Sequence, residues 1–195
     1  MISAVVLAAG ASTRMGTNKL LLPFGGEPLI RRTVREVCAA GFDEVLVVAG
    51  HEHELAIAAL AGLPVRAAIN LEYRTGMGSS FRTAVERLSD RAAAMFALGD
   101  QPFVTAREYR QLLDSYRGAH APCIVSVRYG DVTAPPHLFD REFFPELAAL
   151  QHGARSMLQR HADRSIVLQL PPELLVDVDT PADYELAKSR LESRR

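Results

Sequence analysis

The chain has 195 residues, of which 48% are hydrophobic, and a formal net charge of -1. A chain of this length buries about 70% of its unfolded surface, so we predict one domain over residues 1–195. The near-neutral charge is not typical of a general nucleic-acid binder or of a basic membrane-surface protein, and we expect neither nucleic acid nor membrane as a partner.

Short β-branched runs alternate with helix-like patterns along the chain, which predicts a mostly parallel sheet covered by helices on both faces. The clearest helix is predicted over 28–40, where Pro28 suits the first helical position and Gly41 ends the helix. Residues 130–136 interrupt this alternation of strand-like and helix-like patterns, so we predict that the chain makes an excursion away from the sheet there. We therefore predict an α/β fold of Rossmann-like type with three layers, α/β/α. The predicted strands span 2–7, 44–48, 64–69, 92–98, 123–127, 166–170 and 174–178.

The loop after the first predicted strand, from Leu7 to Lys19, has the features of a phosphate-binding site. Small residues at Ala8, Ala9 and Gly10 let backbone N–H groups approach an anion closely. Further along the loop, Arg14 offers a planar guanidinium and Lys19 a mobile ammonium to phosphate oxygens, and Ser12 adds a hydroxyl. The alternative is an ordinary surface turn, which has no need of Arg14 and Lys19.

Two well-known phosphate motifs are excluded by spacing. A P-loop has four residues between its glycines and then Lys, whereas Gly10 and Gly16 are further apart and Thr17 follows them. The dinucleotide fingerprint also fails, because alanine, serine and threonine follow Gly10 where its further glycines would lie. A flavodoxin-like or Rossmann redox domain is therefore disfavoured.

Acidic residues follow two of the later strands. Asp100 ends the 92–98 strand, at the edge where open α/β sheets bind ligands, and Mg²⁺ takes one or two carboxylates together with substrate phosphates. Asp177 and Asp179 lie two apart on the 174–178 stretch and just beyond it, so they are expected to face the same side. We predict Asp100 and Asp179 as the Mg²⁺ ligands and leave the role of Asp177 open. The alternatives are a turn at Asp100 and a helix start at Thr180, with Pro181 and Asp183.

The stretch after the third predicted strand is a candidate for contacts with a base and a ribose. Its loop opens a helix whose N–H groups point toward a ligand, and an N-capped helix without a ligand is the alternative. The residues concerned are Asn70, Glu72, Gly78, Ser79 and Ser80. His51 follows the second strand and is expected beside the base. No metal site is assigned to His53, His120, His137, His152 or His161.

The cysteines and the termini bear on location. Cys38 and Cys123 are predicted to be small buried hydrophobes in a reducing compartment, without a disulfide. No apolar run approaches the roughly 20 residues of a membrane span, and the N-terminus lacks the pattern of a signal peptide. A cytoplasmic location is predicted.

Taken together, these motifs resemble those of the molybdenum cofactor nucleotidyltransferases, and most closely those of the cytidylyltransferases that form the cytosine dinucleotide of molybdopterin. The resemblance spans nearly the whole chain and rests on LAAGASTRMGTNKLLLPFGGEPL (7–29), NLEYRTGMGSS (70–80), GDQP (99–102) and DVDTPADY (177–184). It implies a fold of the nucleotide-diphospho-sugar transferase type. It also implies base and phosphate contacts from Leu7, Ala8, Ala9 and Gly10, phosphate binding by Arg14 and Lys19, a magnesium ligand at Asp100, and nucleoside contacts from His51 and Glu72.

By this resemblance the chain transfers CMP from CTP to the phosphate of molybdenum-molybdopterin and releases pyrophosphate, with Mg²⁺ as cofactor. Residues 7–10 are LAAG, whereas guanylyltransferases usually have LAGG at this place, and this difference points to cytosine as the base of the nucleotide. A molybdenum hydroxylase is the expected recipient of the product. The alternatives are GTP-dependent molybdopterin guanylyl transfer, a sugar- or alditol-phosphate nucleotidyltransferase, and a cofactor carrier without catalytic activity.

The sequence departs from the family pattern in two places, both expected on the acceptor side. Residues 150–155, LQHGAR, lack the acid that often precedes the Gly-Ala-Arg element. Residues 133–137, TAPPH, replace a turn of the glycine-histidine-proline type.

Overall fold

The computed structural model describes residues 1–88, 90–119 and 122–193. Its strands are β1 (Ile2–Ala8), β2 (Pro23–Phe24), β3 (Glu27–Pro28), β4 (Glu44–Ala49), β5 (Arg66–Ile69), β6 (Ala93–Leu98), β7 (Ile124–Tyr129), β8 (Val132–Thr133), β9 (His137–Asp140) and β10 (Ser165–Leu170). Its α-helices are α1 (Leu29–Cys38), α2 (His53–Ala58), α3 (Met77–Val85), α4 (Ala106–Arg117), α5 (Phe144–Ala149), α6 (Arg155–Arg160) and α7 (Pro181–Glu192). Short 3-10 turns lie at Lys19–Leu21, Tyr73–Thr75, Arg141–Phe143, Ala162–Arg164 and Pro172–Leu174.

The main sheet has the order β10-β7-β9-β6-β1-β4-β5, with β8 paired to β7. β1 lies parallel to both β4 and β6, and Leu7 is in register with Val48 and Leu98. These three strands therefore end at one edge of the sheet, and the loops that follow them emerge side by side. The predicted α/β class with a mostly parallel sheet is confirmed.

Apolar side chains pack on both faces of the sheet because consecutive residues of a strand point to opposite faces. Ala4, Val6 and Ala8 of β1 belong to the core beneath α1, α2, α4 and α7. Val5 and Leu7 belong to the second core, beneath α3, α5 and α6. The two cores give the three predicted layers.

Two predicted helix starts can be compared with the structure. The helix predicted over 28–40 forms as α1, with Pro28 immediately before its first turn and Gly41 at φ +92° beyond its end. Thr180 begins α7 with a capping box to Asp183 and with Pro181 in the first turn, as predicted.

The prediction of a strand over 174–178 is wrong. Pro172–Leu174 form a 3-10 turn, and an extended stretch without sheet pairing follows. The N–H groups of Leu174, Leu175 and Val176 bond to nearby carbonyls of Pro171, Pro172 and Leu174, so they are not free for a sheet ladder. One backbone hydrogen bond, from Val178 N to Asp100 O at 3.3 Å, ties this stretch to the loop after β6.

β9 has no counterpart among the predicted strands. It lies antiparallel between β6 and β7, so the chain turns back through the middle of the sheet after the hairpin of β7 and β8. Its four residues, HLFD, are too few to show a strand periodicity. The predicted excursion over 130–136 is thus a hairpin followed by a return into the sheet.

Two structural findings concern membrane spans and the cysteines. In the described ranges no helix combines the length and apolarity needed to cross a bilayer. Cys38 and Cys123 carry free thiols, and burial raises the pKa of both.

Candidate active site

A cavity of about 410 Å³ opens where β1 and β6 end. Most of its wall comes from residues that the sequence analysis selected: Leu7, Ala8, Ala9, Gly10, Arg14, Lys19, Ser80, Asp100 and Asp179. The register of β1 with β6 explains why the loops bearing Lys19 and Asp100 meet here. Further wall residues that the sequence analysis did not select as ligands are Leu20, Tyr73, Gly76, Met77, Leu98 and Asp177.

The ammonium of Lys19 lies between two carboxylates in this cavity. It contacts Asp100 Oδ2 directly and lies 2.7 Å from Asp179 Oδ1. The guanidinium of Arg14 lies 2.8 Å from the other oxygen of Asp179. The site thus brings the predicted phosphate-binding cations together with the predicted metal ligands.

The pKa values in this cluster follow from burial and from the neighbouring charges. Burial alone would lower the pKa of Lys19, but Asp100 and then Asp179 raise it above its ordinary value. Burial would raise the pKa of Asp179, but hydrogen bonds and charge from Lys19 and Arg14 lower it. The ammonium is therefore held protonated and the Asp179 carboxylate ionised.

Within the loop between β1 and Lys19, local hydrogen bonds fix the conformation. Ser12 adopts a positive φ of 52°, its hydroxyl accepts a hydrogen bond from Lys19 N at 3.2 Å, and its carbonyl accepts one from Met15 N. Asn18 is buried, and its side-chain oxygen accepts a hydrogen bond from Leu20 N at 3.1 Å. Ser12, predicted to bind nucleotide, holds the loop closed and is not part of the cavity wall.

The oxygens at this site fit a magnesium ion. Asp100 Oδ2 and Asp179 Oδ1 both contact one ammonium nitrogen, so they lie close enough to share one cation. Carboxylate oxygens are the hard ligands that Mg²⁺ takes, usually one or two of them with substrate phosphates. No group of three His, Cys, Asp or Glu side chains among the described residues is arranged to hold a metal by itself. A metal here would therefore take further ligands from the substrate.

Gln101 and Asp177 form a buried polar pair that connects the two acidic loops. Gln101 is fully buried, and its amide donates a hydrogen bond to Asp177 Oδ1 at 2.9 Å. Its own oxygen has no hydrogen-bond partner among the described residues. Desolvation, reinforced by the charges of Asp100 and Asp179, raises the pKa of Asp177 against the hydrogen bond from Gln101. In the sequence, the position of Gln101 next to Asp100 at a strand end is the only indication of this pair.

Asn70 organises the start of α3. Its side-chain amide donates to the hydroxyls of Ser79 at 2.8 Å and Ser80 at 3.0 Å, and its oxygen accepts a hydrogen bond from Glu72 N. Of these residues, Ser80 reaches the cavity wall, whereas Asn70 and Ser79 lie behind it. The alternative of a side-chain N-cap is not found, because Gly76 flanks the start of α3 without a cap hydrogen bond, and nucleotide binding by this stretch stays a prediction.

The other selected residues of this region lie outside the cavity wall. A Cβ on Gly78 would come within 2.0 Å of Leu150 O, so this glycine allows close packing of α3. Glu72 is 65% exposed and pairs with Arg82 at 3.1 Å. His51 Nδ1 lies 3.5 Å from the hydroxyl of Tyr73, which does line the cavity. His120 lies outside the described residues.

Known proteins resemble this chain in sequence and in fold. The sequence profile of the MobA-like NTP transferase domain matches residues 4–165. Nicotine blue oxidoreductase of Paenarthrobacter nicotinovorans is 30% identical over 182 residues, which cover 91% of this chain and 86% of that protein. A nucleotidyl transferase from Methanothermobacter thermautotroptrophicus (Mth528) superposes with a TM-score of 0.86 at 26% identity, over 100% of this chain and 99% of that one. The complex of Rv0371c from Mycobacterium tuberculosis with manganese gives 0.78 at 29% identity, over 96% and 98%.

Proposed function

Because the chain belongs to the family of MobA-like NTP transferases, we propose that it transfers CMP from CTP to the phosphate of molybdenum-molybdopterin and releases pyrophosphate. The observation that carries this proposal is the convergence of Lys19 and Arg14 with Asp100 and Asp179 in one cavity. Two cations and two metal-binding carboxylates are what a triphosphate with its metal needs. The product then passes to a molybdenum hydroxylase.

Each group at the site has a distinct task in this proposal. The N–H groups of the loop at Ala9 and Gly10 and the cations of Arg14 and Lys19 bind the triphosphate. The acceptor phosphate oxygen forms a bond to the α-phosphorus while the bond from that phosphorus to the pyrophosphate oxygen breaks. No general base is required, because a phosphate monoester with a second pKa of about 6 is largely ionised at neutral pH. Catalysis then consists of positioning and charge neutralisation.

Asp100 and Asp179 would hold the metal. Magnesium held there would supply positive charge that offsets the charge of the phosphates. Lys19 now contacts both carboxylates, and its flexible side chain lets the ammonium turn to phosphate oxygens when the nucleotide enters. The manganese complex of Rv0371c supports a divalent metal in a related protein.

The experiment that tests the proposal is pyrophosphate release with each nucleoside triphosphate in turn, with Mg²⁺ and molybdenum-loaded molybdopterin. The proposal expects release with CTP that depends on the acceptor. Release with GTP would favour guanylyl transfer instead, and release with a sugar or alditol phosphate would favour that acceptor class. A cofactor carrier would show no pyrophosphate exchange with any nucleotide.

A second candidate function, an oxidoreductase, is favoured by one observation, the name of the relative from Paenarthrobacter nicotinovorans. The loop after β1 lacks the glycines of the dinucleotide fingerprint, which disfavours a nicotinamide cofactor there. Oxidation of NADH or NADPH by a dye acceptor, followed by absorbance, distinguishes this candidate from the transferase.

A further inference from the structure

A second cavity, of about 180 Å³, adjoins the first one. The two share Leu7, Met77 and Leu98 as wall residues, so they are neighbours at this point. Most wall residues of the second cavity are aromatic or aliphatic, Phe81 and Phe96 among them, and Thr133, His137 and Arg155 are the polar members of the wall. An apolar cavity of about 150 Å³ accommodates benzene, so this one is large enough for a flat ring.

His137 of β9 supplies a polar group to this apolar wall. It is 5% exposed, and its Nδ1 accepts a hydrogen bond from Val127 N at 3.3 Å. Since Nδ1 is the acceptor, the proton of the neutral ring is on Nε2. Burial lowers the pKa of His137 to about 3, so the ring is neutral. His137 lines the second cavity, and because its Nδ1 is taken by Val127 N, the ring can offer Nε2–H as a donor to a ligand there.

We propose that this second cavity binds an uncharged flat ring of the acceptor substrate, with the Nε2–H group of His137 donating to a carbonyl oxygen or ring nitrogen of that ring. The proposal rests on the proposed function, because it places the acceptor next to the nucleotide. An acceptor atom of the ligand would take the hydrogen bond from Nε2–H, and Phe81, Phe96 and Phe139 would pack against the ring.

Two segments that are separate in sequence meet in the wall of this cavity. Thr133, Pro135 and His137 of the first segment line this cavity, and so do Gly153 to Arg155 of the second. Both segments therefore meet around one ligand position although they are separate in sequence.

Fluorescence titration of unsubstituted pterin, a flat uncharged heterocycle with a carbonyl and ring nitrogens, tests the proposal. The chain contains no Trp, so pterin emission is free of indole background. His137→Asn keeps an acceptor for Val127 N but removes the Nε2–H donor, and we expect it to weaken pterin binding about tenfold. His137→Gln restores a donor near the Nε2 position, and we expect pterin binding within about threefold of wild type despite lower stability. Leu158→Phe fills the cavity and is expected to abolish binding.

CTP affinity, measured on the same variants, separates this proposal from the proposed function. We expect CTP affinity to be unchanged in His137→Asn, His137→Gln and Leu158→Phe. Equal pterin affinity in wild type and His137→Asn, no pterin binding by wild type, or a loss of CTP affinity in His137→Asn would each overturn the proposal. Absence of CMP transfer with every acceptor would overturn the proposed function and leave the pterin titration as an independent result.

Discussion

Lys19 Nζ lies 2.7 Å from Asp179 Oδ1, although 160 positions separate the two residues along the chain. The same ammonium contacts Asp100, which lies in the loop after β6, remote in sequence from both other residues. The site is thus assembled from the loop after β1, the loop after β6 and the segment before α7. Its charge arrangement depends on the packing of all three.

Lys19→Ala should reduce CMP transfer by about 10² to 10³, because it removes one preorganised charge contact to the phosphates, worth about 2.7 to 4 kcal/mol. The chain has one other lysine, Lys188, which pairs with Glu185 on the exposed side of α7. Lys188→Ala is the matched control and should leave turnover unchanged. The steady-state rate at saturating CTP is the measurement, and equal losses in both variants would refute the assignment of Lys19.

Asp100→Asn and Asp179→Asn should each raise the Mg²⁺ concentration required for half-maximal activity, because an amide is a weaker and uncharged ligand. Asp114→Asn, on the exposed face of α4, is the control. Titration of activity with Mg²⁺ and with Mn²⁺ measures the effect. An unchanged metal requirement in both site variants would mean that these carboxylates do not hold the metal.

The double variant Lys19→Ala/Asp100→Ala should lose less transfer activity than the two single losses combined. The two side chains contact each other and, under the proposed function, serve the same metal-bound triphosphate, so each single substitution is expected to disable part of the other's role. The comparison uses kcat/KM of the four proteins at one Mg²⁺ concentration. Strict additivity would indicate two independent sites.

Gly78→Ala and Gly10→Ala should separate stability from nucleotide binding. A Cβ on Gly78 meets Leu150 O at 2.0 Å, and we expect a loss of about 3 kcal/mol or more, although alanine in a helix otherwise gains about 1 kcal/mol. A Cβ on Gly10 meets no atom within 4 Å, so stability should change by less than about 0.5 kcal/mol while CTP binding weakens. Urea unfolding and CTP titration measure the two effects. Destabilisation by Gly10→Ala with normal CTP binding would contradict the phosphate role of this loop.

His137 should make the free energy of unfolding depend on pH. Burial lowers its pKa to about 3, against about 6.5 in the unfolded chain, so between these values the unfolded state binds one proton more. Stability is therefore lost as pH falls through this window, at up to about 1.4 kcal/mol per pH unit. In His137→Asn this contribution is absent, so wild type should lose about 2 to 3 kcal/mol more than the variant between about pH 7 and 4.5. If urea unfolding gave both proteins the same pH dependence of the free energy of unfolding, this would contradict a buried neutral His137.

Much of the fold and part of the candidate site could be predicted from local sequence patterns. The apolar run of β1, the small residues after it and the capping residues of α7 act within a few positions, so the sequence predicts them directly. The resemblance to molybdopterin nucleotidyltransferase-like proteins is confirmed by the family match over residues 4–165. The cavity walls from Ala8 to Gly10 follow from the end of one buried strand.

The features that were missed depend on distant contacts. β9 exists because β6 and β7 lie on either side of it, and its four residues carry no signal of that pairing. The strand expected over 174–178 does not form, yet Asp177 and Asp179 both line the cavity. A hydrogen bond from Gln101 holds Asp177 there, and Lys19 and Arg14 hold Asp179, so the alternation of a strand is not what positions them. Such contacts between remote segments leave no periodicity in the sequence.

The most direct test of the central claim, that the Lys19 loop and Asp100 bind one metal-bound nucleotide, is NMR of protein labelled with carbon-13 at its two lysines, Lys19 and Lys188. Paramagnetic Mn²⁺ added with CTP should broaden the Lys19 side-chain signal and leave that of Lys188 sharp, and Asp100→Asn should suppress this broadening. A Lys19 signal that stays sharp in saturating Mn²⁺ and CTP, or two signals that broaden equally, would contradict the account.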